Sequence, residues 1–171
     1  MDNAVFSTFI NSVRPKLYRF SLSLLKQHDT AEDVVQEVGL RLWQGIHQGN
    51  HHPHLEALAM CTAKNLCIDI LRRNNRSGEP SLAMEVHHSA YHLSERTPQL
   101  ILEEKDMYAS ICQLIEQLPL QQRMAIRLRD VEGYELAEIA HILECDERSV
   151  RANLSRARKK IREQICKIWN Q

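Results

Sequence analysis

Between Arg148 and Lys167 the chain carries eight Lys and Arg residues and a single acid, Glu163. Guanidinium and ammonium groups at that density neutralise phosphates and release their counterions, and arginine also reads guanine bidentately in a major groove. The spacing matters as much as the count. Arg148, Arg151, Ser155, Arg158 and Arg162 step by three and four and form one polar, basic stripe. Val150, Leu154, Ala157, Ile161, Ile165 and Ile168 form a separate apolar stripe at the same period. One side of this helix packs, and the other faces an array of anions. The start of such a helix would lie nearest the base edges, which points to Arg148, Ser149, Arg151 and Ala152. Arg156, Arg158, Lys159 and Lys160 are placed for phosphates.

A second basic edge stands at "AKNLCIDILRRNNR" (63–76), where Lys64, Asn65, Arg72, Arg73 and Arg76 accompany one acid, Asp69. Asp69 can pair with Arg72 or Arg73. A different chemistry is written in "AEDVVQEVGLRLW" (31–43). On a helix Asp33, Gln36, Glu37 and Arg41 share a polar side, while Val34, Val35, Val38 and Leu42 line the other. The polar side has the make-up of a protein-docking face, and it equally suits a solvated face with an intrahelical Glu37–Arg41 pair.

The charges balance overall, 22 basic against 22 acidic, but not by segment. Residues 1–76 carry a net +2, residues 77–118 a net −5 and residues 119–171 a net +3. The neutrality is an average over unlike parts. Two basic surfaces separated by an acidic stretch suggest two contacts along one polyanion.

The elements that must position these residues are helices. Five Gly and five Pro leave few breakers in 171 residues, and apolar residues recur at three-to-four spacing. Helices are predicted over about 4–26, interrupted by Pro15, with Val5, Phe9, Val13, Leu17, Phe20 and Leu24 as its stripe. A second runs to about Ile46, capped by Asp29 or Thr30. A third spans about 54–73 after a loop marked by Gly45, Gly49, Asn50 and Pro53. From Ser77 to Pro98 the period is lost, and the composition reads as a mobile linker. Periodicity resumes near Gln99. Pro119 is expected at the first position of a further helix that Gly133 ends. The last two helices, Tyr134–Leu143 and Glu147 to about Ile168, make a helix-turn-helix pattern. In the first of them Ile139 and Ala140 are placed for packing. The fold class is all-α: two small helical domains, 1–76 and 99–171, joined by a flexible linker, 77–98.

Other classes find little support. No apolar run approaches the roughly 18 residues of a membrane span, and no signal peptide opens the chain, so the reading is cytoplasmic with no membrane insertion. Five widely spaced cysteines without a Cys-x-x-Cys unit argue against a zinc site or disulfide framework, and most read as apolar helix faces. The "HHPH" run at His51–His54, with His87, His88 and His92, lacks ligand spacing to a Glu or Cys. No metal, cofactor or catalytic residue is expected, and the chain does not read as an enzyme.

Together these segments resemble the extracytoplasmic-function (ECF) sigma factors of bacterial RNA polymerase, the two-domain type of the sigma-70 family, over nearly the whole chain. "DTAEDVVQEVGLRLW" is similar to the core-binding helix, and "AKNLCIDILRRNNR" to the end of the promoter-melting domain. "LPLQQRMAIRLRDVEGYELAEIAHILECDERSVRANLSRARKKIRE" (118–163) is similar to the C-terminal DNA-binding domain, with Leu-Pro, Glu-Gly, Glu-Ile-Ala and Ser-Arg-Ala-Arg in order.

The resemblance implies roles. Asp33, Gln36, Glu37, Arg41 and Trp43 would dock on the clamp helices of the largest polymerase subunit, and the flap would be a second core contact. The loop 44–54 and Lys64, Asn65, Arg72, Arg73 and Arg76 would handle the minus-ten element, Asn65 at an unstacked base. Arg148, Ser149, Arg151, Ala152, Ser155, Arg156, Arg158 and Lys159 would meet the minus-thirty-five duplex. Promoter DNA, core polymerase and an anti-sigma factor are the implied partners, in stress or envelope signalling. The chain departs from the family pattern at Gly39, where an aromatic is usual, at Leu58 in place of Trp, and at Glu144 and Arg148 in place of Gly. Two other readings of the residues stay open: a helix-turn-helix regulator acting without polymerase, and an adaptor that binds proteins through its helical faces.

Overall fold

A computed structural model describes residues 2–48, 54–77 and 110–169. Helix is the only regular structure among these residues, which fall into two compact units. The expected linker, the glycines at 49 and 78 and His51, His52, His87, His88 and His92 lie outside the described residues.

The first unit is built on α1 (Asn3–Leu25), α2 (His28–His47) and α3 (Leu55–Ser77). Pro15 sits inside α1 without dividing it. It forgoes one backbone hydrogen bond, and the packing of the helix on both sides of it outweighs that loss. Lys26 ends α1 in the left-handed region at φ 62°, donating its N–H to Leu22 O at 2.9 Å. The next helix begins earlier than Asp29 or Thr30. Its N-cap is Gln27, and Thr30 Oγ1 donates to Gln27 Oε1 at 2.8 Å, so Thr30 reaches back to the cap instead of being it.

The core of this unit follows the periodicity. Val13, Leu17, Phe20 and Leu24 of α1, Ala31, Val34, Val35, Val38 and Leu42 of α2, and Ala59, Met60, Ala63 and Cys67 of α3 are buried. Each large member contributes about 1.5–3 kcal/mol. The stripe of α1 does not reach its start: Val5 is 56% exposed. Phe6 instead meets Trp43 of α2 at a centroid distance of 5.0 Å. Polar ties between Arg14 and Glu32 and between Lys16 and Glu56 (2.7 Å) link α1 to the other two helices.

The second unit begins with helical residues 110–116 (α4), followed by α5 (Leu120–Ile126). Pro119 is the N-cap of α5, one residue earlier than predicted, with extended ψ of 144°. That places its missing N–H where no helical bond is needed. The helix then widens into a π-turn, Arg127–Val131, closed by Glu132 N–H to Arg127 O at 3.0 Å. Gly133 reverses the chain at φ 80°, and Tyr134 N–H returns to Leu128 O at 2.9 Å. Tyr134 is buried but not helical. Helix α6 is Leu136–Leu143, and the Glu138 carboxylate accepts the Glu135 N–H at 2.8 Å, half of a capping box.

Glu144 takes the left-handed conformation (φ 55°) in the turn before α7 (Glu147–Trp169). This is the position where the sequence carries Glu instead of Gly. Asp146 caps α7, its Oδ1 accepting Ser149 N–H at 2.6 Å. These bonds hold the carboxyl below the usual range for aspartate. Met124, Ala125 and Leu128 are buried, as are Ile139, Val150, Leu154 and Ala157.

The cysteines divide. Cys67 and Cys112 are buried, Cys61 is intermediate, and Cys145 and Cys166 are exposed, so the expectation that most pack as small hydrophobes holds for two of five. All five are reduced.

Candidate nucleic-acid and protein interfaces

On α7 the sequence stripes translate into opposite surfaces. Val150, Leu154 and Ala157 are buried, while Arg148, Arg151, Ser155, Arg156, Arg158, Lys159, Lys160 and Arg162 are exposed. At 100° per residue, Arg148, Ala152 and Lys159 lie about opposite the buried stripe, and Arg151, Ser155, Arg158 and Arg162 flank it on one side. Ser149 and Ala152, expected near base edges, are half-buried. Ser149 spends its N–H on the Asp146 cap.

The exposed cations are not equivalent. Arg158 makes a two-pronged pair with Asp130 of the π-turn, Nη2 to Oδ1 at 2.6 Å and Nε to Oδ2 at 3.1 Å. Asp130 pushes the guanidinium further above its ordinary value. Arg158 therefore ties α7 to the π-turn, a role the sequence did not disclose. Arg151 pairs with Glu147 at 2.6 Å within its own helix. Arg148, Arg156 and Arg162 make no ion pair among the described residues.

The same side of α7 forms one wall of a concave groove of about 650 Å³. Arg151, Ser155, Arg158, Lys159 and Arg162 line it with Arg129 of the π-turn. Arg129 is absent from the sequence-derived site. Its Nη1 donates to Tyr134 O at 2.7 Å and lies 2.9 Å from the Glu135 carboxylate. The spacing from Arg129 to α7 is invisible in sequence because it depends on the π-turn.

In the first unit, Asp33, Gln36 and Arg41 are exposed, and Glu37 and Trp43 are half-buried along one side of α2. Glu37 Oε1 accepts Arg41 Nε at 2.7 Å, the intrahelical pair foreseen from the spacing. Trp43 is braced by Phe6 on one side and by His47, whose ring centroid lies 3.9 Å away. Sequence reasoning overlooked Leu40, which is 51% exposed on this face. The signal was available: Leu40 is the one leucine of the segment out of step with Val34, Val38 and Leu42.

A cavity of about 290 Å³ opens between α2 and α3. Leu42, Ile46, Leu55 and Leu58 give it apolar walls, and Arg41, Thr62 and Asn65 bring polar groups. Thr62 Oγ1 donates to Leu58 O at 2.8 Å, which leaves its lone pairs for a ligand donor. Leu58, where the family pattern has Trp, helps keep this space open. Lys64 follows on α3. Arg72 and Arg73 extend toward the exposed C-terminal end, where Arg72 Nη1 lies 3.9 Å from Asp69 Oδ1 and Arg73 Nε meets Asp69 O at 3.4 Å. Arg76 is exposed in the last turn. The structure thus brings Asn65 to a cavity and leaves the three arginines on a separate edge.

These surfaces match known proteins in both units. Residues 9–77 match the family described as Sigma-70 region 2, and residues 109–161 match Sigma-70, region 4. The chain is 30% identical over 138 residues to the ECF RNA polymerase sigma-E factor of Escherichia coli (strain K12), covering 78% of this chain and 72% of that one. It is 26% identical over 167 residues to the RNA polymerase sigma-H factor of Pseudomonas aeruginosa, covering 94% and 86%.

Among solved structures it shares its fold with the sigma factor RpoE bound to the anti-sigma factor NepR from Bartonella quintana. That match has a TM-score of 0.69 and 24% identity, over 94% of this chain and 96% of that one. It also shares the fold of CnrH in complex with the cytosolic domain of CnrY, with a TM-score of 0.67 and 17% identity over 96% and 89%. A two-unit, all-helical chain with a basic helix-turn-helix, matching both sigma regions in order, belongs to the ECF sigma factors of RNA polymerase, which are transcription initiation factors and not enzymes.

Proposed function

We propose that this chain directs RNA polymerase core to its promoters through three separate surfaces. Residues 1–76 form the region 2 domain and residues 99–171 the region 4 domain, with 77–98 as the connection. Asp33, Gln36, Glu37, Arg41 and Trp43 on α2 dock on the clamp helices of the largest subunit, and the region 4 domain also meets the flap. The cavity beside Asn65 takes an unstacked base of the minus-ten element, since it joins apolar walls to an amide and a hydroxyl at its rim. Lys64, Arg72, Arg73 and Arg76 hold the adjoining strand.

The observation that carries the reading is the division of α7. One side is buried on the domain, and the other presents Arg148, Arg151, Ser155, Arg156 and Lys159 to a phosphate lattice. Two of the structural neighbours are held by anti-sigma proteins. An anti-sigma factor that restrains this chain until an envelope or stress signal arrives is the corresponding proposal here. No described helix is long and apolar enough to cross a membrane, and the working site is the cytoplasm with the polymerase.

The test is a binding assay with core RNA polymerase, followed by run-off transcription from a genomic fragment library. Stoichiometric binding and discrete new transcripts are expected, both lost in Asp33→Ala/Gln36→Ala. An active core enzyme that ignores the wild-type chain would refute the reading.

A further inference from the structure

Leu40 is one of two large apolar side chains prominently exposed among the described residues, at 51%. Its position on α2 is informative. Ala31, Val34, Val35, Val38 and Leu42 define the buried direction of the helix. At 100° per residue Leu40 points about 180° from their mean, straight away from the core. Nothing in the packing of the first unit requires an apolar group there.

Its surroundings are those of an interface centre. Asp33, Gln36, Glu37 and Gln44 lie within about 60° of it around the helix, and all four are polar. Glu37 is already neutralised by Arg41 at 2.7 Å. Trp43, on the next turn, is held in place by Phe6 and His47 and presents a fixed aromatic edge. An apolar centre with a polar rim and a rigid aromatic beside it is the anatomy of a protein contact. Arginine-rich DNA-binding surfaces lack such a centre, so a nucleic acid is a poor occupant.

We infer that Leu40 is the apolar anchor by which α2 seats on core RNA polymerase, with Asp33, Gln36 and Glu37 acting as its rim. The inference rests on the reading of α2 as the docking helix and names the residue that supplies most of the affinity there. The surface of core facing Leu40 is an apolar recess deep enough for one leucine side chain.

Glutamine has nearly the helix propensity of leucine and a similar length, so Leu40→Gln removes the apolar contact without disturbing the helix. The affinity of the full chain for core RNA polymerase is measured for wild type, Leu40→Gln, Leu40→Met and Asp33→Ala/Gln36→Ala, with thermal melting of each. Leu40→Gln is expected to bind at least tenfold more weakly with an unchanged melting curve, and Leu40→Met to bind like wild type. If the double variant weakens binding while Leu40→Gln binds like wild type, the anchor is refuted and the docking reading stands. If neither change affects binding, the docking reading fails with it. Loss of self-association in Leu40→Gln with unchanged affinity for core would assign the residue to a second copy of the chain and overturn the inference. A lowered melting curve in Leu40→Gln would overturn it as well.

Discussion

Replacing Gly39 with alanine should stabilise the first unit. Gly39 lies in the middle of α2, where glycine costs about 1 kcal/mol relative to alanine because the unfolded chain loses more freedom on becoming helical. The gain is realised only if the new methyl fits. A Cβ built at this position would meet Ile10 Cγ1 at 3.7 Å and Ile10 Cδ1 at 3.8 Å, ordinary van der Waals contact with side-chain atoms that can yield. No strain term offsets the propensity gain, so the net is about +1 kcal/mol. For a domain of this size that is a rise of roughly 4–8 °C in the melting temperature. Differential scanning calorimetry on the full chain resolves the transition of the first unit from that of the second. Gly39 points toward α1 and not along the Leu40 face, so affinity for core polymerase should stay the same. A lower melting temperature would mean that α1 and α2 approach more closely at Ile10 than the structure has them, and would refute the argument.

Two further expectations follow from individual contacts. Because Arg158 is committed to Asp130, Arg158→Ala should leave the salt dependence of duplex binding by the holoenzyme nearly unchanged. Arg156→Ala should lower the slope of log K against log salt by about 0.9, the value of one phosphate contact. Equal slopes for the two variants would show that Arg158 abandons Asp130 for DNA. Cys67 concerns alkaline stability. Burial pushes its thiol up to about 11 from 9.0, against an opposing effect of the Ser21 hydroxyl. The folded state therefore holds its proton more tightly than the unfolded one. The associated stability is complete below about pH 9 and is lost as the pH rises toward 11, roughly 2–3 kcal/mol in all. Denaturant titrations should show that fall in the wild type and a shallower one in Cys67→Ala; identical pH profiles would count against it.

Much of this was legible in the sequence because it depends on local periodicity. The buried sides of α2 and α7 follow from residues three and four apart, and so does the Glu37–Arg41 pair. The left-handed turn at Glu144 could be anticipated from the position alone. What escaped depended on distant or irregular geometry. Arg158 was counted among the phosphate contacts because its helical position is right, but its partner Asp130 lies 28 residues earlier. Arg129 was missed for the same reason. Leu40 escaped for the opposite reason: leucine in a helix is assumed to be buried, and only the packing of its neighbours shows that it is not. The exposure of Val5 is similar, since α1 extends beyond the helices that could cover its first turn.

The π-turn at Arg127–Val131 also bears on how this chain can change in length. A π-turn is an α-helix carrying one surplus residue, accommodated without breaking the helix. Deleting a single residue between Arg127 and Val131 would restore regular winding and rotate everything after it by about 100°. Asp130 would swing away from Arg158, and the Gly133 reversal would aim α6 in a new direction. Insertions and deletions are normally tolerated in loops and resisted in cores. Here the least tolerant stretch of the C-terminal unit is this surface-facing segment of five residues, because it sets the phase between the two halves of the reading head.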